Sequence, residues 1–158
     1  MLYVDSSALT KRYLQETGSS ELDIKLGEAA KAKDPVVTSL LTYAEIHAVL
    51  GRKLRDGSLS ATGYHSAVIR FDADWRAYFV LVEVAQPVLG LVRDLVRRHP
   101  LKAADAVQLA SALWVAQSTR LRGTQKGPQR VEVFVTADRQ LASAADYEQF
   151  EVFNPETP

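Results

Sequence analysis

Short apolar runs alternate along the chain with longer segments in which apolar residues recur at helical spacing. The runs predict strands at 2–4, 36–38, 79–84, 131–135 and 150–153. The longer segments predict helices at 6–18, 19–33, 39–56, 60–75, 87–99, 103–116 and 139–145. Ser60 and Pro87 suit the first turns of the helices that they open.

Short strands that alternate with helices are typical of a parallel sheet with helices on both faces. The sequence therefore predicts an α/β protein, a three-layer α/β/α structure around a central parallel sheet of about five short strands. In such sheets, ligands bind beyond the carboxyl ends of the strands, where the strand order reverses. We expect the chemistry at that edge.

Length and composition are those of an ordinary single-domain protein. The chain has 158 residues, with 19 Lys and Arg, 19 Asp and Glu, and no Cys. We expect one domain over 1–153 and a frayed tail at 154–158. Without Cys there are no disulfides or thiolate metal sites, and zero net charge argues against a uniformly basic nucleic-acid-binding surface. No secretory signal or membrane-spanning run is visible, so we expect a cytoplasmic protein.

Four acidic residues fall at or near the expected ligand edge. Asp5 follows the first strand and Asp138 follows the fourth, whereas Glu45 and Asp105 lie in early turns of the third and sixth helices. Both helical acids have apolar neighbours, and carboxylates are rarely buried without a partner. Gathered in one pocket, the four would repel one another unless a cation neutralised them. Mg²⁺ and Mn²⁺ prefer such oxygen ligands, and either ion can activate water against a phosphodiester.

Three of these acids also have a simpler explanation. Asp5 and Asp138 stand where the first and seventh helices need N-caps, and Asp105 suits the positive end of the sixth helix dipole. Glu45 lies past the capping turn, so neither role explains it. From the pattern alone, a metal site and a set of unrelated helix-end residues both stay open.

The segments around the four acids form motifs that extend over most of the chain. They read LYVDSSAL at 2–9, then YL at 13–14 and ETGS at 16–19, TSLLTYAE at 38–45, LKAADAVQLA at 101–110 and FVTADRQLA at 134–142. In this order, they resemble the motifs of the PIN domain family. The resemblance is greatest to the VapC-type toxins of bacterial toxin–antitoxin modules.

The resemblance implies a metal-dependent endoribonuclease, the toxin of a type II toxin–antitoxin system, in which metal-activated water hydrolyses RNA. It implies that Asp5, Glu45, Asp105 and Asp138 bind Mg²⁺ or Mn²⁺ and serve catalysis. The hydroxyls of Ser6 and Thr136 would orient these carboxylates or a water. The resemblance also implies a homodimer, and a cognate antitoxin that lies across apolar grooves of the N-terminal helices.

Two other functions fit parts of the pattern. A PIN-like domain that binds RNA or protein without cleavage would share the fold, although all four acids are present here. A receiver-type phosphoacceptor domain needs paired acids after its first strand and an acceptor Asp after its third. Only Asp5 follows the first strand, and residues 84–86 after the third strand contain no acid.

Basic residues and histidines give weaker signals. The basic runs at 93–102 and 120–130 are candidates to hold RNA phosphates, with a solvated surface as the alternative. The three histidines, His47, His65 and His99, are scattered. We expect structural or surface roles for all of them, because no paired His motif for zinc is present.

Overall fold

A single parallel sheet organises the molecule. The computed structural model describes residues 1–121 and 131–158, of which 119–121 are described without their side chains. The described strands are β1 (Leu2–Val4), β2 (Val36–Ser39), β3 (Phe79–Val82), β4 (Val133–Val135) and β5 (Glu151–Phe153). They pair in parallel in the order β3-β2-β1-β4-β5. The strand order therefore reverses between β1 and β4.

The described helices connect these strands. They are α1 (Ser6–Leu9), α2 (Ser19–Ala32), α3 (Leu41–Arg55), α4 (Ala61–Ala77), α5 (Gln86–Arg98), α6 (Ala103–Leu121) and α7 (Arg139–Tyr147). The predicted residues at the start of two helices, Ser60 and Pro87, are confirmed. The Ser60 hydroxyl accepts a hydrogen bond from the backbone N–H of Gly63, and Pro87 lies in the first turn of α5.

The two faces of the sheet support two separate hydrophobic cores. Because successive side chains of a strand point to opposite faces, Leu2 and Val4 pack with α1, α2, α3 and α4, whereas Tyr3 packs with α5, α6 and α7. The Tyr3 ring stacks on Phe134 of β4, with ring centroids 5.2 Å apart. The predicted three-layer α/β/α fold with five parallel strands is confirmed.

The first predicted helix is much shorter than expected. The pattern predicts a helix over 6–18, but α1 ends at Leu9, a 3₁₀ turn covers Thr10–Arg12, and the chain is irregular up to Ser19. The Ser19 hydroxyl lies 2.8 Å from the carbonyl oxygen of Lys11 and satisfies it outside a helix. The apolar spacing arises because Tyr13 and Leu14 enter the same core from this irregular segment.

The C-terminal residues are docked on the domain rather than frayed. The ammonium of Lys11, which is only 5% exposed, lies 2.6 Å from Glu156 Oε1. Gly18 adopts a left-handed φ of 86°, and a Cβ there would lie 2.7 Å from the backbone of Pro155. The expectation of a frayed tail is therefore wrong, because a buried ammonium needs the carboxylate that the tail supplies.

The end of α6 also differs from the prediction. The helix continues to Leu121, beyond the predicted end at 116. The basic run at 120–130 lies outside the described side chains. None of the helices in the described part of the chain has the length and apolar character needed to cross a membrane.

Candidate active site

Asp5 lies at the point where the strand order reverses. Val4 pairs with Val135, so β1 and β4 end side by side, and Asp5 is the first residue beyond β1. Its carboxylate caps α1 by accepting a hydrogen bond from the backbone N–H of Ala8 at 3.0 Å. The residue is only 2% exposed, and burial raises the pKa of its carboxyl to about 7. The Asp5 side chain can therefore cap α1 and still belong to the candidate site.

Two hydroxyls join the ends of β1 and β4. The Ser7 hydroxyl donates to Asp5 Oδ1 at 2.9 Å and accepts from the backbone N–H of Ala137 at 3.0 Å. It also lies 3.2 Å from Thr136 Oγ1, which accepts a hydrogen bond from the backbone N–H of Asp138. The turn after β4 is thereby held against Asp5.

Asp138 caps α7 beside this turn. Its Oδ1 accepts hydrogen bonds from the backbone N–H groups of Gln140 and Leu141, both at 2.8 Å. Its second carboxylate oxygen has no part in the cap. No described residue donates a hydrogen bond to that second oxygen, which is therefore the one of the two that could meet another partner.

Glu45 reaches the same edge from α3. Gln108 on α6 donates a hydrogen bond from Nε2 to Glu45 Oε2 at 2.6 Å. Burial raises the pKa of the Glu45 carboxyl, and this effect outweighs the lowering of the pKa by the hydrogen bond from Gln108 and by the nearby Ser6 side chain. Of the apolar neighbours of Glu45 on α3, Ala44 and Ala48 are exposed, whereas the buried face of the helix is formed by Ile46 and Leu50.

Asp105 lies in the first turn of α6. Burial raises the pKa of its carboxyl, the charge of Asp138 raises it further, and the nearby ammonium of Lys102 lowers it. Of the basic run at 93–102, Lys102 is therefore close enough to affect the acidic edge. Arg98 and His99 of the same run instead pair with Glu148.

The four acids are linked by pairwise electrostatic repulsion. The charge of Glu45 raises the pKa of Asp5, and the charge of Asp105 raises the pKa of Glu45. The charge of Asp138 in turn raises the pKa of Asp105. Among the described side chains, none of the ion pairs involves any of the four. No three Asp, Glu or His side chains in the described part converge into a formed metal cluster. The acids thus form a row of carboxylates that enter no ion pair with a described side chain, although the charge of Lys102 acts on Asp105.

These donors fit a hard divalent cation. All of them are oxygens, and the buried carboxyl of Asp5 enters no ion pair with a described side chain that would stabilise its charged form. Mg²⁺ usually retains several waters and binds through only one or two carboxylates. A row of acids that does not fully converge is compatible with that mode of binding, so the residues present fit the metal that the motifs imply.

The structure separates the roles of the neighbouring hydroxyls. Ser6 and Thr136 were both expected to orient the carboxylates or a water. Ser6 is close enough to Glu45 to lower the pKa of its carboxyl, and the Thr136 hydroxyl accepts a hydrogen bond from the backbone N–H of Asp138. Ser7, which the motif reading did not select, contacts Asp5 directly.

Gln108 was also not predicted as part of the site. The sequence did offer a signal for it. Gln108 lies three positions after Asp105, so the two share one face of α6, and its immediate neighbours Val107, Leu109 and Ala110 are apolar.

The histidines lie outside the acidic row, as expected. His47 packs against Tyr43 and Phe71, with Nε2 3.4 Å from Asp72 Oδ1. His65 is exposed, and His99 Nε2 lies 2.8 Å from Glu148 Oε1. In the described contacts, none of the three meets an acid of the row.

Comparison with known proteins assigns the family. The PIN domain model matches residues 2–147, and the chain therefore belongs to the PIN domain family. Two relatives from Mycobacterium tuberculosis are named Ribonuclease VapC45 (strain CDC 1551 / Oshkosh) and Ribonuclease VapC49 (strain H37Rv). Each is 35% identical over 118 residues, which cover 73% of this chain and 76% of the relative.

Solved structures share the fold at lower identity. FitAcB from Neisseria gonorrhoeae matches with a TM-score of 0.66 and 17% identity, and the match covers 98% of both chains. A toxin–antitoxin complex from Klebsiella pneumoniae matches with a TM-score of 0.56 and 18% identity, again over 98% of both chains. These matches establish the α/β/α arrangement independently of the sequence motifs.

Proposed function

We propose that this PIN domain protein is a metal-dependent endoribonuclease and the toxin component of a type II toxin–antitoxin system. The observation that carries the proposal is the row of four mutually repelling carboxylates at the reversal of the strand order, none of them in an ion pair with a described side chain. The ribonuclease names of the two mycobacterial relatives support RNA as the substrate. Asp5, Glu45, Asp105 and Asp138 would hold Mg²⁺ or Mn²⁺.

A cation at this position would supply an activated water and charge for the leaving oxygen of a phosphodiester. The protein's own groups prepare the site. The Ala8 N–H and the Ser7 hydroxyl fix Asp5, and the α7 cap fixes Asp138. Burial raises the pKa of Asp5 to about 7, and a cation held there would favour the charged form of this carboxyl.

Lys102 is the described basic residue best placed to attract RNA. Its charge reaches Asp105, so a phosphate drawn to Lys102 would lie beside the acidic row. We expect Lys102→Ala to weaken RNA binding and to reduce the dependence of that binding on salt. Lys31→Ala, a change of an exposed lysine at the end of α2 outside both basic runs, is the matched control and should leave RNA binding unchanged.

Two protein partners complete the proposal. The α2 surface carries Ile24, which is 64% exposed, beside a cleft of about 250 Å³ that Phe153 also lines. This apolar surface suits an antitoxin segment. A homodimer is proposed from the family resemblance, and the exposed Val80 and Leu81 of the edge strand β3 offer apolar area for it. The cytoplasmic location stays a prediction.

The test is RNA cleavage by the purified protein. A pool of tRNA and structured RNA is incubated with EDTA, Mg²⁺ or Mn²⁺, beside Asp5→Asn and the control Asp146→Asn, an exposed acid on α7. We expect discrete fragments that require the metal, disappear in Asp5→Asn and persist in the control. RNA binding without cleavage by the folded wild type would favour a non-cleaving binding module instead.

Growth of a bacterial host offers a readout that does not depend on the choice of RNA pool. We expect expression of the wild type without an antitoxin to stop growth, and expression of Asp5→Asn to permit it. Equal growth in both strains, at equal protein level, would contradict the toxin assignment.

A further inference from the structure

Gln108 connects the two helical layers, on opposite faces of the sheet, next to the acidic row. It projects from α6, which belongs to the core on one face of the sheet, and its amide reaches α3 on the other face. The side chain is 1% exposed. A buried amide is unfavourable unless its polar atoms are paired, and apolar residues fill the adjoining positions Leu109 and Ala110 of this helix.

Both polar atoms of the Gln108 amide have hydrogen-bond partners. Nε2 donates to Glu45 Oε2 at 2.6 Å and to Thr42 Oγ1 at 2.9 Å, while Oε1 accepts from the Tyr3 hydroxyl at 2.7 Å. A flipped amide would point its oxygen at a carboxylate, which can only accept hydrogen bonds. The Glu45 carboxylate therefore selects the orientation in which Nε2 faces it, and the Tyr3 hydroxyl holds that orientation by donating to Oε1.

The same network continues to the end of β1. Thr42 Oγ1 accepts from Gln108, so its proton is directed to Thr38 Oγ1 at 2.8 Å. The Thr38 hydroxyl in turn donates to the carbonyl oxygen of Val4 at 2.7 Å, one residue before Asp5. Gln108 thus links the side chain of one acid to the backbone that carries another.

We propose that Gln108 is a positioning residue that holds Glu45 for the divalent cation and is itself oriented by Tyr3. The inference rests on the proposed metal-dependent function. A neutral amide suits this task because it fixes one oxygen of Glu45 without cancelling the negative charge. A lysine or arginine at the same place would compete with the cation.

The experiment measures Mn²⁺ binding directly, by calorimetry at one fixed pH, in the absence of RNA. Gln108→Leu removes all three hydrogen bonds at nearly constant volume. We expect it to weaken Mn²⁺ binding by about tenfold or more, the usual effect of losing a group that orients a metal ligand. Leu95→Val, a buried change on α5 with no polar contact to the row, should leave the dissociation constant unchanged.

Tyr3→Phe separates positioning from general packing. It keeps the ring that stacks on Phe134 and removes only the hydroxyl that orients the amide. We expect a smaller, severalfold loss of Mn²⁺ affinity in the wild-type chain and no further loss in Gln108→Leu. A purely structural role for Tyr3 would give the same loss in both backgrounds.

The outcomes distinguish this inference from the proposed function. If wild type binds Mn²⁺ and the folded Gln108→Leu binds within twofold of it, Gln108 has no positioning role. If Gln108→Leu does not fold, Tyr3→Phe alone decides, and Mn²⁺ binding equal to that of wild type overturns the inference. If wild type binds no Mn²⁺ and cleaves no RNA with any metal, the proposed function fails first.

Discussion

The carboxyl of Asp5 makes the stability of the metal-free protein depend on pH. Its pKa is about 7 in the folded chain because it is buried, against roughly 3.9 for an unfolded Asp. Between these values the folded state keeps a proton that the unfolded chain has released, so stability falls as pH rises from about 4 to 7 and then levels off. The raised pKa values of Glu45 and Asp105 act in the same direction.

We therefore expect wild type in EDTA to lose a few kcal/mol of unfolding free energy at most between pH 5 and 8, since each unit of pKa shift corresponds to about 1.4 kcal/mol. Urea denaturation at the two pH values measures this. Asp5→Asn keeps the size of the side chain and cannot ionise, so its pH dependence should be clearly flatter. Equal slopes in the two proteins would show that Asp5 does not titrate in this range.

Substitutions at Asp138 separate helix capping from charge. Asn caps helices about as well as Asp, whereas Ala loses the cap at a cost of about 1 kcal/mol. Asp138→Asn should therefore keep nearly the full unfolding free energy and lose most cleavage, while Asp138→Ala should lose both. Denaturation and RNA cleavage assays check the pair. Wild-type cleavage by a folded Asp138→Asn would reduce this residue to a cap.

At the scale of elements, Ser7 joins α1 to the turn between β4 and α7. Ser7→Ala removes the hydroxyl that contacts both Asp5 and the Ala137 N–H, so we expect strongly reduced cleavage. Ser60→Ala, which removes the cap of α4 away from the acidic row, is the matched control. It should lower stability by about 1 kcal/mol and leave cleavage unchanged. A similar loss of cleavage in both variants would indicate a general effect of instability.

The sequence predicted the succession of elements better than the contacts between them. Short continuous apolar runs reveal β1 to β5 because these strands are covered on both faces, and apolar residues at helical spacing reveal α2 to α7. The same spacing wrongly predicted a helix at Tyr13 and Leu14, because these residues enter the core from an irregular stretch of backbone. Apolar spacing reports burial, and burial does not require a helix.

The sequence was sufficient to propose which four acids lie near one another, but it did not predict the contacts that hold them. Asp5 and Asp138 follow strands, so the rule for parallel sheets places them at one edge. The contact between Gln108 and Glu45 joins residues 63 positions apart, and no local pattern encodes it. The docked tail was missed for the same reason, because Lys11 and Glu156 meet only in the folded chain.

At the scale of the whole molecule, the C-terminal residues close the structure against α2. Gly18 permits this through its left-handed φ and the close approach of Pro155. Gly18→Ala should cost about 1–2 kcal/mol for the backbone conformation and more because the new Cβ displaces the tail. Gly57→Ala is the matched control, since it has a φ of 79° and open space around it. Equal losses in urea denaturation would show that the tail adds nothing.

The central claim is that four segments distant in sequence form one cation site at the reversal of the strand order. The most direct measurement is anomalous scattering from crystals soaked in Mn²⁺. The account predicts a manganese peak bound by at least two of the four acids, with Gln108 still in contact with Glu45. A protein that cleaves RNA with Mn²⁺ but shows its manganese peak away from these acids would contradict it.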